Sequence, residues 1–134
     1  MRYLPVVLIA LVSLFFIDVL WIGGIAMNFY RAEIGGLLAE SVTWPAAFAF
    51  YIFYALALTV LVLKPALQAS SLKKALYLGA VFGFAAYMTY DLTNLATTRD
   101  WTLSVTIVDL LWGTFLTTLV SGFTYFISKK YLKF

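Results

Sequence analysis

The chain has 134 residues, 64% hydrophobic and 11% charged, with a formal charge of +3 and neither cysteine nor histidine. A soluble domain is ordinarily about a quarter charged; this composition is that of one integral membrane domain, residues 1–134, since a water-soluble fold would expose aggregating apolar patches. The missing residue types exclude disulfides, thiolate or imidazole metal sites, His-ligated haem and Ser-His or Cys-His nucleophiles. No cofactor is implied, and the positive charge reads as membrane topology rather than nucleic-acid binding.

The first apolar segment spans residues 4–27. Its apolar run exceeds the roughly 7–15 residues of a signal-peptide core, and it carries Asp18 and Trp21, so it reads as a retained helix. Three more apolar segments follow at 44–63, 75–94 and 102–127. Each is close to the roughly 20 residues that cross about 30 Å of hydrocarbon as a helix. None alternates with period two, and four strands could not close a barrel. The expected fold is an all-α membrane protein, a four-transmembrane-helix bundle.

The connections carry helix signals. Residues 31–43 read as a loop with Gly35, Gly36, Glu33 and Glu40, ending at Pro45 in the first turn of the second helix. Pro65 reads as the stop of that helix, and Ser70 or Ser71 as the cap of the third. The turn Thr97-Thr98-Arg99-Asp100 makes the third and fourth helices antiparallel neighbours. Of the nine Lys and Arg residues, Arg2, Lys64, Lys73, Lys74, Lys129, Lys130 and Lys133 fall on one side, and Arg31 and Arg99 on the other. The bias predicts cytoplasmic termini and a multi-pass protein of a bacterial inner membrane.

With that orientation Asp18, Asp91 and Asp109 all lie in the outer half. An aspartate at a helix centre is unfavourable by about 2.5–3.5 kcal/mol, so such residues face the bundle interior and mark a pathway, relay or partnered site. Only Asp18 is deep enough to meet nearly all of that penalty; Asp91 and Asp109 are expected to be partly wet. Helical spacing puts Asp18, Trp21, Ile25 and Asn28 on one face of the first helix. Gly83, Tyr87, Tyr90, Asp91 and Asn94 form a stripe on the third, and Thr102, Thr106, Asp109 and Gly113 one on the fourth. Tyr51 and Tyr54 of the second helix can direct hydroxyls at the carboxylates. The faces converge on an expected outward pocket rimmed by Trp21, Trp44, Trp101 and Trp112, of which Trp44 and Trp101 read better as interfacial belt residues. Three carboxylates without a buried basic partner repel, so at least one is expected to be protonated or neutralised by a cation. Arg99, the nearest basic residue, would fold over the site or be solvated.

The aspartates also have a structural reading, as interhelical hydrogen-bond partners that lock the bundle. The repeated pattern Asp18-Val-Leu-Trp21 and Asp109-Leu-Leu-Trp112 suggests an inverted repeat, but the depths of the two aspartates do not mirror about the midplane. Gly79 and Gly83 form a G-x-x-x-G match that reads as close packing within the bundle rather than as a dimer face.

The run Tyr90-Asp91-Leu92-Thr93-Asn94-Leu95-Ala96-Thr97, followed by Trp101 and by Asp109-Leu110-Leu111-Trp112-Gly113, resembles a family of small bacterial predicted membrane proteins of unknown function. The resemblance covers essentially the whole chain and implies four membrane helices; it brings no activity. From the residues, the first expectation is a protein that binds or transports a cation, a proton or a small amphipathic ligand. Its pocket would be acidic and aromatic: Asp18, Trp21, Tyr51, Tyr54, Tyr87, Tyr90, Asp91, Asn94, Asp109 and Trp112. The second is a non-catalytic membrane subunit or assembly factor, acting with a partner protein or as a homo-oligomer. The third is an enzyme modifying lipid, with Mg²⁺ on Asp91, Asn94 and Asp109; it is the least favoured, and no catalytic residue is nominated. The lipid bilayer is a partner in every case.

Overall fold

Four helices account for nearly all of the computed structural model, which describes residues 2–134. They are α1 (Leu4–Leu37), α2 (Trp44–Gln68), α3 (Leu72–Thr97) and α4 (Leu103–Tyr131). By length and hydropathy α1, α2 and α4 can each cross a membrane. The more polar α3 does not reach that standard by composition alone. It packs antiparallel along α4, and its 26 residues would extend about 39 Å at about 1.5 Å per residue, so packing carries it through the same depth. All four helices turn large apolar side chains outward, among them Leu8 and Phe16, Phe53 and Val60, Val81 and Phe84, and Leu111 and Phe115. In a bilayer those surfaces face lipid.

The α3–α4 seam is set by small residues. A Cβ on Gly83 would lie 2.6 Å from both the Gly113 carbonyl oxygen and the Thr117 hydroxyl, and one on Gly79 would lie 2.5 Å from the Ser121 hydroxyl. The G-x-x-x-G pair therefore packs inside the bundle. Around this seam the inner half closes on Val6, Ala10, Leu14, Leu58, Val62, Leu63, Leu116 and Val120, all buried. Tyr3 and Phe134 pack ring on ring 5.1 Å apart, which puts the two chain ends at one end of the bundle. The Arg2 guanidinium lies over Phe134, Lys64 over Tyr3, and Lys129 reaches Ser70, so the basic residues gather there as well.

Helix ends follow local chemistry. Pro45 occupies the first turn of α2, Ser71 accepts from the Lys74 amide, and Thr102 accepts from the Val105 amide. Several bounds differ from expectation. The first helix runs to Leu37 rather than ending at 27, so most of the expected 31–43 loop is helical. Pro65 does not stop α2, which continues to Gln68. A π turn at Thr59–Leu63 precedes the proline and widens the helix where its ring and missing N–H would otherwise disturb an α turn. The third helix gains a turn at its start through the Ser71 cap, and the fourth runs to Tyr131.

Candidate functional site

A second π turn, Trp21–Ala26, sets the geometry of the outer half. Buried positions on α1 run Val6, Ala10, Leu14, Asp18 and then Ala26 and Ile34, with Tyr30 half-buried between the last two. The π turn adds one residue, so the eight steps from Asp18 to Ala26 rotate about as far as seven α-helical ones, two full turns. The inward face therefore continues through Ala26, Tyr30 and Ile34. Ile25 and Asn28, expected on that face from unbroken α-helical spacing, are exposed.

Asp18 is buried and doubly held. The Tyr51 hydroxyl donates to its Oδ2 at 2.8 Å and the Trp112 indole N–H to its Oδ1 at 3.0 Å, so α1, α2 and α4 meet on one carboxylate. Tyr54, expected to reach a carboxylate too, shares a 2.7 Å hydrogen bond with the Thr117 hydroxyl instead. The indoles of Trp21 and Trp112 stack at 4.4 Å, 9° from parallel. Aromatic pairs of this kind contribute about 0.5–1.5 kcal/mol beyond area burial.

Asp109 is the counterpart on α4. Its Oδ1 accepts a 2.6 Å hydrogen bond from the Tyr30 hydroxyl, on which the Trp21 indole N–H makes a long 3.5 Å contact. The two Asp-x-Leu-Trp motifs thus cross over. Trp112 from the second serves the aspartate of the first, while Trp21 supports the tyrosine that serves the aspartate of the second.

Asp91 departs furthest from expectation. It is fully buried, not partly wet, and neither carboxyl oxygen has a hydrogen-bond donor. Asn94 accepts from the Thr98 hydroxyl at the end of α3 and does not line the cavity. Among the described residues no three acidic side chains are grouped as metal ligands.

In front of these groups lies a cavity of about 1060 Å³. Asp18, Asp109, Tyr54, Tyr87, Tyr90, Trp21 and Trp112 reach it, whereas the buried Asp91 does not line it and Tyr51 reaches Asp18 without lining it. Tyr87 lies flat over Gly113, where a Cβ would enter its ring. Trp101 lines the cavity and donates to Thr106 at 3.1 Å. Trp44 does not line it; half-exposed and packed on Phe48, it suits an interfacial position better. Arg99 is exposed and does not line the cavity, whereas Arg31 and Glu40 both do.

The outer walls come from residues that sequence reasoning did not select: Tyr30, Phe50 and the segment 35–43. Thr102 donates to Glu33 at 2.9 Å and ties the end of α1 to the start of α4 over the cavity. The signal for Tyr30 was faint. Gly23 and Gly24 are poor helix formers inside an apolar run, and a Cβ on either would meet nothing within 4 Å, so their place is not dictated by packing.

The family model described as "Predicted membrane protein (DUF2177)" matches residues 3–126. No curated protein and no solved structure matches the chain.

Proposed function

The chain belongs to this family of predicted membrane proteins, and from that premise we propose that its outer-half cavity binds a small amphipathic cation. The observation that carries the reading is that Asp18 and Asp109 both line one cavity of about 1060 Å³ while, among the described residues, no basic side chain donates to either. A cationic head fits between these carboxylates, against Tyr87, Tyr90 and the two stacked indoles. Cation–π contacts contribute up to about 2 kcal/mol or more when desolvated. The apolar part of the ligand lies along Ile22, Ile34, Leu38 and Phe50. Mostly apolar walls with a few convergent polar groups are typical of small-molecule sites.

The way in is lateral or from the outer face. Tyr54 packs on Phe82 and Tyr87, and beyond it Phe50 of α2 and Tyr90 of α3 both border the cavity. The excess of Lys and Arg at the end carrying the termini supports placing that end in the cytoplasm, in a bacterial inner membrane, with the cavity facing outward.

Titration with tetrabutylammonium, followed by tryptophan fluorescence, tests the proposal. Saturable quenching is expected in the wild type, with affinity reduced at least tenfold, about 1.4 kcal/mol, in Asp18→Asn and Asp109→Asn. Equal affinity in wild type and both folded variants would overturn it.

A further inference from the structure

We infer that the outer cavity takes a zwitterionic amphiphile, its cationic centre at Asp18 and Asp109 and its acidic group, a phosphate, sulfonate or carboxylate, held by Arg31. The inference rests on the cation reading above and names the ligand class of that same site. Among the described residues Arg31 is the one basic side chain on the cavity wall. Met27, Arg31 and Ile34 line the cavity at four- and three-residue spacing, so the guanidinium is set into an otherwise apolar stripe of α1. A basic residue that served only to anchor the helix at the membrane surface would have no reason to take the cavity side.

Two bonds between α1 and α4 bracket Arg31. Tyr30, the residue before it, donates to Asp109, and Glu33, two residues after it, accepts from Thr102. From Tyr30 to Glu33 the backbone rises by about 4.5 Å. Arg31 therefore stands one step beyond the Tyr30–Asp109 bond, on the side away from the chain ends. The acids around it have partners of their own: Asp109 has Tyr30, Glu33 has Thr102, and Asp18 has Tyr51 and Trp112. Glu40 lines the same cavity, and among the described residues no ion pair joins it to Arg31. A plain cation leaves the guanidinium unanswered. An acidic group joined to the cationic centre by a few carbons meets it with charge-assisted, potentially bidentate hydrogen bonds, which a guanidinium makes to planar or tetrahedral oxyanions.

A matched pair of probes tests this: tetrabutylammonium, and the tributylammonio-propanesulfonate zwitterion, in which one butyl arm is replaced by a propylsulfonate. Both are titrated against tryptophan fluorescence. The wild type is expected to bind the zwitterion about tenfold more tightly than the plain cation. Arg31→Gln should abolish that preference by weakening the zwitterion while leaving tetrabutylammonium no weaker, and Arg31→Lys should retain part of it. Exchanging the three butyl arms of the zwitterion for methyls should weaken it at least tenfold, because the apolar walls then lose their contacts; equal affinity would identify a polar solute and overturn the amphiphile. Tetrabutylammonium binding with no preference for the zwitterion in the wild type, or a preference that survives Arg31→Gln, overturns this inference and leaves the cation site standing. Binding of neither probe overturns both.

Discussion

The inner and outer halves of the bundle use the same four helices to opposite ends. In the inner half, glycines on α3 bring it against the backbone and hydroxyls of α4, and Leu58, Leu63, Leu116 and Val120 are fully buried. In the outer half, rings and carboxyls replace aliphatic side chains, and a π turn displaces the inward face of α1 by one residue. The difference teaches that closure depends on what the facing positions carry. Small and aliphatic residues let helices collapse together, while indoles, phenols and acids hold them apart around hydrogen bonds.

The sharpest way to break this contrast is to spoil the inner seam. Gly83→Val places branched carbon where the Gly113 carbonyl and Thr117 already stand. It is expected to destabilise the fold by about 3 kcal/mol, as overpacking of a tight core does, read as a lowered unfolding midpoint in detergent. An unchanged midpoint would mean that the seam is not tight. In the outer half Asp18→Leu strands the Tyr51 hydroxyl and the Trp112 N–H, a loss of about 2–3 kcal/mol. Asp18→Asn keeps an acceptor and should recover most of that stability without recovering cation binding. Tyr51→Phe removes one of two donors and is expected to lower stability by about 1 kcal/mol. The smallest effect belongs to Gly23→Ala, where the added methyl meets nothing within 4 Å; thermal unfolding should move by no more than about 1 kcal/mol in either direction.

Much of the inner half was legible because apolar runs, capping residues and the G-x-x-x-G spacing each act locally. The antiparallel α3–α4 pair followed from a short turn, and the reach of Tyr51 to a carboxylate from its place on the helix. The outer half was read only in part. Helical arithmetic joined Asp18 to Trp21 but then chose Ile25 and Asn28, because a π turn is a collective adjustment of several hydrogen bonds with no fixed sequence mark. Pro65 was read as a stop for the same reason. The burial of Asp91 depends on how the other helices pack against α3, which no spacing within α3 encodes. Asn94 shares the polar stripe of α3, yet its local bond to Thr98 takes it out of the site.

Labelling a single introduced thiol tests the outward cavity most directly, because the native chain has no cysteine. Tyr90→Cys places a thiol on the cavity wall, and Ala66→Cys places one in the closed inner half. In intact cells a membrane-impermeant maleimide should modify Tyr90→Cys from outside and spare Ala66→Cys, and tetrabutylammonium should slow the reaction at Tyr90→Cys. Modification of Tyr90→Cys only from the cytoplasmic side, or at a rate indifferent to the cation, would contradict an outward-facing cation site.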